Sequence, residues 1–138
     1  MKRRKAREYL LQILYQADMT GRPPGERELA LFWENHPADP QVRKFTEELL
    51  KGVLQHLDEI DSYVRGSATH WEMDRISPVD RNILRFGVYE LLYRDDIPGA
   101  VTLNEAIEIA KKFSTSESHS FINGILDEIR RKVGKRLR

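Results

Sequence analysis

Val42, Phe45, Leu49, Val53, Leu57, Ile60 and Val64 each follow the last by three or four positions, which places them on one helical face for about six turns. A strand alternates with period two and cannot gather that set on one side. The same spacing recurs along most of the chain. Ala6, Tyr9, Leu10, Ile13, Leu14 and Ala17 mark a first helix that Gly21, Pro23 and Pro24 end, and residues 26–35 form a short second one closed by Pro37. Asp39-Pro40 and Ser77-Pro78 each pair an N-cap with a first-turn proline, Asp80 standing at the third position of the second pair. The helix after Ser77 carries Ile83, Leu84, Phe86, Val88, Leu91 and Leu92 on nearly all sides, so it belongs at the centre of a bundle. Capping boxes are expected at residues 102–105 and 114–117, each opening a further helix. The expectation is an all-α fold of six to seven helices in one domain spanning 1–138, with halves meeting near Gly66, about 1–66 and 67–138.

Charge is distributed unevenly. Residues 2–7 and 130–138 hold 11 of the 23 Lys and Arg and no acidic residue, leaving 12 cations against all 22 anions in between. A net charge of +1 therefore describes an acidic body with two basic ends. Clustered cations neutralise phosphates and displace their counterions, the main source of sequence-independent nucleic-acid affinity. The N-terminal set, Lys2, Arg3, Arg4, Lys5 and Arg7, runs without Pro or Gly into the first amphipathic segment, so a helix should fix its directions. The C-terminal run reads instead as a charged end that frays in solvent. Arg81 and Arg85 are expected to pair with the acidic body rather than with a ligand.

Several chemistries find no support. The chain has no Cys, which excludes disulfides, thiolate metal sites and a Cys nucleophile. His36, His56, His70 and His119 lack the Glu-x-x-His spacing of a di-iron bundle and read as surface or capping residues. Phosphate-binding glycine loops and hydrolase or zinc-protease motifs are missing, so no catalytic residue, metal or cofactor is assigned. No run approaches the roughly 20 apolar residues of a membrane span, and Glu8, Gln12, Gln16 and Asp18 interrupt any signal-peptide core. The expectation is a soluble cytoplasmic binding module. Gly87 and Gly124, inside helices, are expected to admit close neighbours, and Trp71 to anchor the linker segment.

The motifs V-D-R-N-I-L-R (79–85), Y-E-L-L (89–92), N-E-A-I-E-I-A-K (104–111) and F-I-N-G-I-L-D (121–127) occur in the order and spacing of the NusB family of bacterial transcription antitermination factors. The opening R-R-K-A-R-E-Y-L-L resembles that family's arginine-rich first helix. The likeness covers nearly the whole chain and is weakest between Thr20 and Pro40. It implies two three-helix bundles without enzymatic activity, binding single-stranded boxA RNA of ribosomal RNA operons together with NusE, a ribosomal small-subunit protein, within the antitermination complex of RNA polymerase. Residue by residue, it implies RNA contacts at Lys2, Arg3, Arg4 and Arg7, with Lys5 fitting by charge. Tyr15, two to three turns further on, is a candidate stacking ring, core or interface filler being the other reading. Asp80, Glu117 and Phe121 fall where the family binds NusE or borders the RNA, and a cationic NusE surface there would screen the two acids. The alternative is a homodimeric helical scaffold with only nonspecific nucleic-acid affinity.

Overall fold

The computed structural model describes residues 2–68 and 72–138. His70 and Trp71 lie outside them. The described residues form seven α-helices and one 3-10 turn, with no strand: α1 (Lys2–Thr20), α2 (Glu26–Asn35), α3 (Pro40–Gln55), α4 (Leu57–Ser67), the turn Met73–Arg75, α5 (Pro78–Tyr93), α6 (Gly99–Phe113) and α7 (Ser118–Val133). The all-helical expectation holds. None of these helices is long and apolar enough to cross a membrane.

As its all-round apolar sequence requires, α5 is the central helix: it touches α1 and α3 on one side and α4, α6 and α7 on the other. The first group, α1 with α3, receives α2 through aromatic edges, Tyr9 meeting Phe32 and Trp33 at ring centroid distances of 5.7 Å. The second group is α5, α6 and α7. One continuous core joins them, with Leu10, Leu49, Ile83, Phe86 and Ile122 fully buried. Gly87 lets α7 approach, since a Cβ there would lie 2.9 Å from Leu126 Cδ1. Gly52 does the same for the Tyr89 ring, which occupies the space a side chain would need. The expectation for Gly124 fails, because it faces open space on the outside of α7.

The long apolar face from Val42 to Val64 is not one helix. It breaks at His56, whose N–H bonds back to Gly52 and Val53 carbonyls before α4 begins. Both stretches touch α5, but α3 packs chiefly on α1 and α4 turns to α7, and a single straight rod could not serve both. Asp39 and Ser77 cap as expected, accepting from the Gln41 and Asp80 amides.

Both predicted capping boxes are displaced. α6 starts four residues early, capped at Pro98 rather than Thr102, and the amides of Gly99 and Ala100 donate to the carbonyls of Arg136 and Leu137 at 3.1 and 2.8 Å. Thr102 is thereby interior and turns its hydroxyl to Glu90. Ser114 ends α6, and α7 begins only at Ser118. The C-terminal run accordingly does not fray: after Gly134, at φ +74°, it folds back to serve the open end of α6. Arg130 donates to the Lys135 carbonyl and Lys135 Nζ to the Arg94 carbonyl, tightening this closure. Deleting residues 135–138 should lower the unfolding free energy by about 2 kcal/mol, two backbone hydrogen bonds at about 1 kcal/mol each. Urea denaturation checks this, and a loss below about 0.5 kcal/mol would mean that water replaces the tail without cost.

Candidate nucleic-acid interface

Helical geometry fans the cations of residues 2–7 around α1, and each meets a carboxylate. Lys2 Nζ lies 3.2 Å from Asp39 and also reaches Gln41. Arg3 Nη2 is 3.7 Å from Asp96, with its guanidinium 4.4 Å above the Phe45 ring. Arg4 grips Glu105 through Nε and Nη2 at 3.0 and 2.7 Å. Lys5 Nζ sits 3.9 Å from Glu8 and 4.9 Å over the Tyr9 ring. Arg7 donates Nε and Nη2 to Glu90 at 2.7 and 2.9 Å.

Burial separates these five. Lys2, Arg3 and Lys5 keep most of their side chains in water, and Arg4 keeps 32% of its own. The Lys2 and Arg3 pairs, exposed on both sides, are worth at most about 1 kcal/mol each, so a phosphate can take either cation from its partner. Asp96 illustrates this: it is held at about 2, chiefly by its hydrogen bonds from Arg94, and stays satisfied when Arg3 leaves. Arg7 is different. At 1% exposure it cannot touch a transcript, and its expected role as an RNA contact is corrected to that of an internal tie between α1 and α5. The sequence held the signal: Arg7 stands three, four and seven positions before the buried Leu10, Leu11 and Leu14, on the inward face.

Tyr15 is 41% exposed, so its ring is not core filler. It borders an open depression of about 490 Å³ together with Leu11, Gln12, Met19, Val79 and Phe113. Phe113 is also exposed and was not foreseen; its one sequence signal is its place directly after Lys111 and Lys112 in the last turn of α6. Lys112 spans Glu8, at 3.1 Å, and the Phe113 ring, at 5.3 Å. Cations thus lead along α1 from Lys2 to Lys5, and two exposed rings follow. Lys5 and Tyr15 are ten positions apart, about 15 Å along the helix.

Asp80, Glu117 and Phe121 do come together, bordering a depression of about 300 Å³ with Arg75 and Ile76. Only Glu117 of the three is fully exposed, and Phe121 is partly so. Asp80 turns inward, accepting from Ser114 Oγ at 2.6 Å and Ser118 Oγ at 2.8 Å. Its expected role as a partner contact is therefore corrected: it latches the α6–α7 turn that carries Glu117. Arg81 and Arg85 pair with the body as expected, reaching Asp18 and Asp61 at 2.8 and 2.9 Å. Among the described residues no group of three or more His, Asp or Glu is placed to hold a metal ion.

The family model described as the NusB family matches residues 4–131. A transcription antitermination protein NusB of Geobacter sulfurreducens is 49% identical over 128 residues, covering 92% of this chain and 92% of the relative. The protein of the same name from Thermodesulfovibrio yellowstonii is 46% identical over 138 residues, covering 94% of this chain and 91% of its own. Among solved structures, Thermotoga maritima NusB superposes with a TM-score of 0.85 at 35% identity, over 94% of this chain and 91% of the other. A structure of antitermination factors NusB and NusE in complex with dsRNA gives a TM-score of 0.83 at 27% identity, over 95% and 97% of the two chains.

Proposed function

Because this chain belongs to the NusB family, we propose that it is a transcription antitermination factor that binds boxA RNA of ribosomal RNA transcripts together with NusE. In this role it helps RNA polymerase pass terminators, works in the cytoplasm and catalyses no reaction. The observation that carries the reading is the placement of Lys2, Arg3, Arg4 and Lys5 on the same helix as Tyr15, with Phe113 beside it. Cations supply phosphate affinity in a chain whose body is otherwise anionic, and an arginine fork can also grip a base edge. Exposed rings offer stacking surfaces to unpaired bases. Glu117, exposed next to Phe121, repels phosphate unless a cationic partner covers it, which gives NusE an electrostatic task as well as a surface.

The test compares boxA RNA with a scrambled RNA of equal length and with a duplex of the same sequence, each with and without NusE. The expected result is preference for single-stranded boxA that sharpens when NusE is present. Equal binding in every arm defeats the proposal. A homodimeric scaffold is the second reading, favoured by the 57% exposure of both Met19 and Leu31, which leaves apolar surface near the α1–α2 groove. It predicts a concentration-dependent dimer by sedimentation and no preference for boxA.

A further inference from the structure

A ladder of charge climbs from the core to the surface beneath the start of α1. Thr102 Oγ1 donates to Glu90 at 2.7 Å, and Glu90 receives the Arg7 fork. Arg7 Nη1 in turn lies 3.7 Å from Glu105 Oε1, and Glu105 holds Arg4 through Nε and Nη2. The signs alternate minus, plus, minus, plus. Exposure rises along the series and reaches water at Arg4. The Arg4 Nη1 group, with two N–H donors, makes no hydrogen bond among the described residues.

We infer that Glu105 is a positioning residue for RNA binding, holding Arg4 in a two-point fork so that its Nη1 edge meets a transcript phosphate as the next, anionic rung of the ladder. The inference rests on the proposed RNA-binding role. The competing arrangement has the phosphate displace Glu105 from Arg4. That would leave a carboxylate with 9% side-chain exposure facing only Arg7 at 3.7 Å, a buried charge short of hydrogen bonds. Lys2 and Arg3 sit in exposed pairs and lose little by swinging to a phosphate, whereas Arg4 gains more by keeping its carboxylate and using the free edge. The Arg4 hydrogen bonds also hold the Glu105 carboxyl below the usual range, which keeps this rung ionised at neutral pH. A guanidinium fixed at two points surrenders less rotamer freedom when a third bond forms.

The two arrangements predict opposite signs for Glu105→Gln. This substitution removes one negative charge beside the RNA, so if Glu105 merely competes with phosphate, affinity rises. If Glu105 positions Arg4, boxA affinity falls about fivefold, equivalent to about 1 kcal/mol, and scrambled RNA loses a similar factor, since a phosphate contact carries no sequence information. Full-length wild type, Glu105→Gln, Arg4→Lys and Arg4→Ala are titrated with boxA and scrambled RNA at several salt concentrations. Arg4→Lys keeps the charge but not the fork, so it should retain the salt slope while losing affinity for both RNAs. Unchanged or tighter boxA binding by Glu105→Gln overturns the inference, as does wild-type boxA affinity in Arg4→Lys should the glutamine variant fail to fold. Wild-type affinity in Arg4→Ala defeats instead the assignment of Arg4 to RNA, which keeps the two failures apart.

Discussion

Replacing Glu90 with Ala is expected to lower the unfolding free energy by about 3–5 kcal/mol, the cost of leaving a buried guanidinium without its counter-charge. Arg7 has 1% of its side chain exposed and Glu90 none, so water cannot step in for the missing carboxylate. The Thr102 hydroxyl, which donates to Glu90, loses its acceptor in the same variant. Arg7→Ala should cost a similar amount by stranding Glu90. The double variant Arg7→Met, Glu90→Leu fills the space with apolar volume and should recover most of the loss, because a buried ion pair contributes little over a well-packed apolar pair. Urea denaturation of wild type and the three variants measures these differences. Single variants that cost less than about 1 kcal/mol would show that the pair is solvated in solution and does not tie α1 to α5.

Removing Lys2 and Arg3 together should leave stability within about 0.5 kcal/mol of wild type while changing RNA binding markedly. Each cation that meets a phosphate of single-stranded RNA contributes about 0.7 to the slope of log affinity against log salt. The double alanine variant should therefore flatten the slope by about 1.4, and the affinity lost between 50 and 200 mM salt should shrink about sevenfold. The contrast with Arg7 is the informative part. One pair of cations alters binding without stability, and its neighbour one turn along alters stability first. A double variant with the wild-type salt slope would remove the exposed cations of α1 from the RNA contact.

Much of this division follows from local pattern, and the failures have a common physical origin. The bounds of α2 and the caps at Asp39 and Ser77 depend on residues a few positions apart, which a sequence displays directly. The central place of α5 follows from its lack of a polar face. The break at His56 was hidden because the apolar spacing runs through it, without Gly or Pro at the junction, while the partner helix changes. The boxes expected at Thr102 and Ser114 match the local rule, but acceptors from Arg136 and Leu137 allow α6 to start earlier. Arg7 and Asp80 were misassigned for a related reason. A charged residue reads as a surface group until the chain folds a counter-charge or a pair of hydroxyls against it, and those partners lie far away in sequence. Phe113 became visible only when the end of α6 was set beside Tyr15.

The bond from Arg7 to Glu90 closes a loop of 83 residues, and that from Arg4 to Glu105 one of 101. A ribosome must deliver five helices before the first has its full seat. Until then α1 is a cationic ribbon with an unsheltered greasy side, beside the anionic ribosome and transcript. The earliest-made helix thus gains its charged ties to α5 and α6 only after both have been made, and the wait for them is set by the pace of translation as well as by chain diffusion.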